Sequence, residues 1–91
     1  MDNGILDEEN KVTIHVYPSP NGFACSVVER QLSQMNYEYS IALTLAHGMV
    51  KRAIENPDEV FDDGMESLAN PLESNTVDFE TLHKKREKRL N

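Results

Sequence analysis

The chain has 91 residues and a mass of 10.4 kDa, enough for one small domain and too little for a multidomain enzyme. Sixteen acidic residues against nine Lys and Arg give a formal charge of −7, which disfavours nonspecific nucleic-acid binding because phosphate contacts need a basic face. Cys25 is the single cysteine, so neither an intrachain disulfide nor a cysteine-cluster zinc site can form.

Leu, Ile, Val and Phe supply 22 of the 91 residues, which permits a modest core. The longest mainly apolar run, Ile41 to Val50, contains Thr44 and His47 and falls well short of the ~20 residues of a membrane span. Charge is unevenly distributed: residues 1–10 carry −4, residues 11–54 carry +2, residues 55–80 carry −9 and residues 81–91 carry +4.

Residues 1–10 read as an acidic N-terminal arm, without the basic and then apolar order of a secretory signal, and a reducing cytoplasmic setting is expected. A core domain over residues 11–70 follows. Val12, Ile14 and Val16 alternate with Thr13, His15 and Tyr17, the period of a half-buried strand. Pro18-Ser19-Pro20-Asn21-Gly22 is a turn cluster, and Phe23 to Arg30 reads as a second strand. Asn21-Gly22 is a strong type I′ hairpin signal. Centring the turn there opposes Val16 to Val27 and gathers Val12, Ile14, Val16, Phe23, Cys25 and Val27 on one face. A five-residue loop from Pro18 to Gly22 would flip that face and expose Phe23.

Residues 31–36 read as a linker or helix start, and Tyr37 to Glu55 as one long helix. Ser40, Thr44, His47, Lys51 and Glu55 form its single polar stripe. The rest of its circumference is apolar, so burial on two sides is expected, with Gly48 admitting a close neighbour beside Ala42 and Ala46. Asn56-Pro57-Asp58-Glu59 starts a second helix: Asn as N-cap, Pro at the first helical position, acids in the first turn. Val60, Phe61, Met65 and Leu68 are its apolar stripe, and Asn70-Pro71 ends it. Residues 71–91 are a loop and a charged last helix, Thr76 to Leu90, whose final turns are expected to fray without a partner.

The fold class is therefore α+β: an antiparallel β-hairpin packed on a long buried helix, followed by two shorter helices. A two-stranded hairpin is marginal alone. A homodimer that completes a four-stranded sheet is one way to cover it.

No constellation for catalysis or cofactor binding is present, and none of the four glycines lie close enough together for a phosphate loop. His15 and Cys25 fall on opposite sheet faces, so they do not form a nucleophilic pair. Asp58, Asp62 and Glu66 recur every four residues, with Asp63 beside them, and line one helix face. Such carboxylates can hold a hard cation, but neither frame of a calcium loop fits. A loop begun at Asp58 puts Asp63 sixth and Ala69 last, and one begun at Glu59 puts Gly64 sixth but Asn70 last. No metal site is expected. Asp58, Asp62, Asp63 and Glu66 are instead candidates for binding a protein partner.

Lys84, Lys85, Arg86, Lys88 and Arg89 form a basic patch. It lacks aromatic residues for base stacking and suits a helix C-terminus whose charges complement the dipole. The expected function is a small interaction or accessory protein, of the kind common in bacteria and their viruses, that binds another macromolecule without catalysis. The alternatives are an acidic mimic of nucleic acid that inhibits a basic DNA- or RNA-binding protein, and a nucleic-acid-associated protein using the basic patch.

Overall fold

Two strands and three helices follow one another in the expected β-β-α-α-α order. The computed structural model describes residues 6–30 and 35–90. The first half of the acidic arm and most of the 31–36 linker lie outside the described residues.

The described part of the arm is a short 3-10 turn, Glu8–Asn10, capped by Asp7, whose side chain accepts the Asn10 N–H at 3.2 Å. Lys11 Nζ donates to Glu8 Oε1 at 2.8 Å, which holds its ammonium above the usual lysine range.

Strands β1 (Thr13–Ser19) and β2 (Gly22–Val28) pair antiparallel with Val16 opposite Cys25 and Ser19 opposite Gly22. The expected Val16–Val27 pairing is thus corrected by two residues, and the five-residue loop is not adopted. The tight turn is centred on Pro20-Asn21. A type I′ turn at Asn21-Gly22 needs Asn21 at positive φ, and no described residue except Gly22 has one. It would also place Pro20, which has no N–H, in the ladder opposite Phe23. A slip of two residues conserves side-chain parity, so the apolar face survives: Ile14 and Val16 share it with Phe23, Cys25 and Val27. Strand β2 ends at Val28, short of the expected Arg30. The Arg30 N–H leaves the ladder and donates to the hydroxyl of Tyr39 at 2.8 Å.

Helix α1 spans Tyr37–Glu55, as the sequence pattern predicts. Asn36 caps it, its side-chain oxygen accepting the Tyr39 N–H at 2.8 Å. The amide of Asn36 donates to Asn10 at 3.0 Å and ties the acidic arm to the helix start. Asn56 closes α1 through its N–H to the Arg52 carbonyl at 2.8 Å, and its own carbonyl accepts the first intrahelical bond of α2 (Pro57–Ala69) from Val60. Asn56 is the N-cap of α2 as expected, with Pro57 at the first helical position and Asp58 and Glu59 in the first turn, though it caps through its backbone carbonyl and makes no side-chain capping bond.

Helix α3 spans Phe79–Leu90 and starts three residues later than Thr76. Local side-chain bonds explain the delay: Thr76 N–H donates to Ser74 Oγ at 3.1 Å, and Asp78 Oδ1 accepts the Thr81 N–H at 2.8 Å as the true N-cap. That bond holds the Asp78 carboxyl below the usual aspartate range.

The hairpin lies on α1, and the core is small. Only Tyr39 and Ala46 are buried among the described residues, ringed by half-buried Ile14, Cys25, Val27, Leu43, Val50 and Ala53. Within one chain α1 is covered on one side rather than the expected two: Leu45 and Met49 remain 47% and 60% exposed, and nothing lies within 4 Å of where a Gly48 Cβ would stand. The radius of gyration, 15.2 Å, exceeds the roughly 12 Å of a compact chain of this length.

Candidate functional site

Helix α2 is divided lengthwise by its sequence. At 3.6 residues per turn, Val60, Phe61, Gly64, Met65 and Leu68 fall on one half, and Asp58, Glu59, Asp62, Asp63 and Glu66 on the other. In a globular chain the apolar half would be buried. Here α2 has no buried residue, and Phe61, Met65 and Leu68 are 68%, 57% and 86% exposed.

The apolar half is one wall of an open groove of about 430 Å³. Val16 and Phe23 near the hairpin tip form the opposite wall, and Cys25, Ala53 and Pro57 complete its lining, which contains no charged residue. The sequence shows the α2 stripe but not that the hairpin tip faces it, because that depends on where the hairpin sits on α1. Cys25 is half-buried in this groove and His15 lies on the other sheet face, its Nδ1 3.1 Å from the Tyr17 hydroxyl.

The four candidate carboxylates do not act as a unit. Arg52, reaching over from α1, donates to Asp63 at 3.1 Å and to Glu59 at 3.3 Å. Asp58, Asp62 and Glu66 are exposed and pair with no cation among the described residues. One turn apart, they are spaced by about 6 Å along the helix axis. Among the described residues no three His, Cys, Asp or Glu side chains are placed to hold a metal ion.

The basic patch is exposed on α3. Lys84 lies 3.7 Å from Glu80, and His83 lies 3.1 Å from Glu87. Lys85, Arg86, Lys88 and Arg89 have no ion-pair partner among the described residues, and no ion pair joins α3 to α2 there. Phe79 of α3 lines a recess with Tyr37, Ile41 and Ala42 of α1, and Leu82, one turn further on, is half-buried. No described helix is long and apolar enough to cross a membrane.

Comparison with protein-family models, with curated proteins and with solved structures gave no match for this chain. The guide to function is therefore α2 itself, a well-formed helix whose apolar and acidic halves are both open to solvent.

Proposed function

We propose that this chain is a small, non-catalytic interaction protein of the cytoplasm that binds another macromolecule through the carboxylate arc of α2. The observation that carries the reading is the state of that arc: Asp58, Asp62 and Glu66 stand exposed in a row with no ion-pair partner among the described residues, while Arg52 holds Glu59 and Asp63 on the side toward α1. Such a row offers charge complementarity to a basic surface, which gives orientation and association rate. The regular spacing of the three carboxylates favours a second reading, in which the basic surface belongs to a nucleic-acid-binding protein that the chain inhibits.

Retention of partners from host lysate on the tagged full chain, with and without nuclease, tests the proposal. The expected result is one stoichiometric protein that survives nuclease and is lost when Asp58→Asn, Asp62→Asn and Glu66→Gln are combined. Elution at modest salt from a partner that itself binds DNA or RNA would select the second reading. Retention that vanishes with nuclease, and with Lys85, Arg86, Lys88 and Arg89 changed to Ala, would overturn both in favour of nucleic-acid association through α3.

A further inference from the structure

We propose that the apolar groove between α2 and the hairpin tip is a two-fold self-association surface, covered by the same face of a second copy of this chain. The surface of the single chain is the first argument. Among the described residues of α2 none is buried, and Phe61, Met65 and Leu68 are 68%, 57% and 86% exposed. With only Tyr39 and Ala46 buried among the described residues, covering this face would add apolar burial to a small core.

The area available at the groove is the second argument. Val16, Phe23, Phe61, Met65 and Leu68 are between 44% and 86% exposed. Covering these five side chains would remove about 600 Å² per copy, or about 1,200 Å² for a symmetric pair, the lower end of stable specific interfaces before any rim contact is added.

Charge and shape identify the occupant as a second copy. The groove lining carries no charge, and the carboxylate arc occupies the opposite half of α2. Two copies of a chain with formal charge −7 can meet on this face without bringing those carboxylates together. At the centre of the apolar half stands Gly64, with nothing within 4 Å of the position its Cβ would take. A helix-interior glycine costs about 1 kcal/mol relative to Ala. Here it clears the ridge between Phe61 and Leu68, so that two α2 helices can cross closely at Gly64.

This assembly is independent of what the carboxylate arc binds, so its failure leaves the lysate test above intact. Sedimentation equilibrium of the full wild-type chain reads the oligomeric state. Three single-cysteine chains in a Cys25→Ala background then read the interface in a glutathione redox buffer: Gly64→Cys at the crossing, Glu66→Cys on the acidic half and Gly48→Cys on the exposed side of α1. The expected result is a wild-type dimer, with Gly64→Cys linking between chains roughly tenfold faster than the other two, since a disulfide requires Cα atoms within about 7 Å. Phe61→Ser should sediment as a monomer. If that variant unfolds, the cross-linking rates decide. A wild-type monomer throughout the micromolar range overturns the proposal. A dimer linked best through Gly48→Cys assigns the interface to α1 and overturns it. A dimer linked through none of the three, as in a four-stranded sheet joined edge to edge, also overturns it.

Discussion

The hydroxyl of Tyr39 accepts the backbone N–H of Arg30 at 2.8 Å while the Arg30 guanidinium carbon sits 4.3 Å above the centre of the same ring. One side chain thus receives the end of β2 twice, by a hydrogen bond and by a cation–π contact, from the first turn of α1. Tyr39 is 1% exposed, so neither partner is replaced by water when the ring is trimmed. Tyr39→Phe strands the part-buried Arg30 N–H and is expected to cost about 1–3 kcal/mol. Tyr39→Ala also removes the ring and should cost about 3–5 kcal/mol. Urea unfolding followed by circular dichroism ranks the two, and equal midpoints for wild type and Tyr39→Phe would show that the bond is not made.

Gly22 and Gly48 make opposite predictions from the same substitution. Gly22 leaves the Pro20-Asn21 turn with φ +157°, where L side chains are strained, and Gly22→Ala is expected to destabilise by about 1–3 kcal/mol. Gly48 lies inside α1 with open space around its missing Cβ, and Gly48→Ala should gain about 1 kcal/mol. Thermal midpoints moving in the same direction for both would contradict the turn geometry or the open flank of α1.

The bounds of α1 and the start of α2 were legible because Asn56-Pro57 can only interrupt a helix and begin another. The apolar sheet face was legible for a different reason: every even slip of the hairpin preserves it. What separates those slips is the φ of Asn21, a choice made by the neighbouring proline and not by the Asn-Gly signal. The start of α3 was misplaced because Ser74 and Asp78 each offer local backbone bonds, and periodicity alone does not say which one caps the helix. The apolar circumference of α1 announces burial on two sides, whereas within one chain Leu45 and Met49 stay exposed on the flank away from the hairpin. In the candidate site, the carboxylate spacing was visible from residue types, whereas the claim of Arg52 on Glu59 and Asp63 depends on the angle between α1 and α2. Nor could composition reveal the groove, since Val16 and Phe23 meet α2 only through the seating of the hairpin.

Arg52 bridges α1 to Glu59 and Asp63 of α2 at the surface, where water and salt screen the pairs. Arg52→Gln is accordingly expected to cost less than about 1 kcal/mol. It should also release two further carboxylates into the acidic arc, so that binding to a basic partner strengthens at low salt. Stability and partner retention measured across a salt series separate these effects. A loss of several kcal/mol would mean that the Arg52 contacts hold the α1–α2 angle.

Asp78 gives α3 a defined acid sensitivity. Its carboxylate accepts the Thr81 N–H at 2.8 Å, and this bond, more than the attraction of Lys84, holds its pKa below the usual aspartate range. For a carboxyl group lowered in the folded state, the linked stability is fully present above the unfolded pKa, about 3.9, and is lost as pH falls through the folded value. Helix α3 should therefore keep its N-terminal turn at neutral pH and begin to lose it below about pH 4, as protonation weakens the capping acceptor and removes the negative charge from the positive end of the helix dipole. Asp78→Asn supplies a cap of similar quality without a titrating group and should abolish this component, whereas Asp78→Ala should weaken the first turn at every pH. The amide proton of Thr81, followed by NMR through an acid titration of the three chains, reports the bond directly. An amide that titrates alike in wild type and Asp78→Asn would assign the acid response to another of the chain's carboxylates.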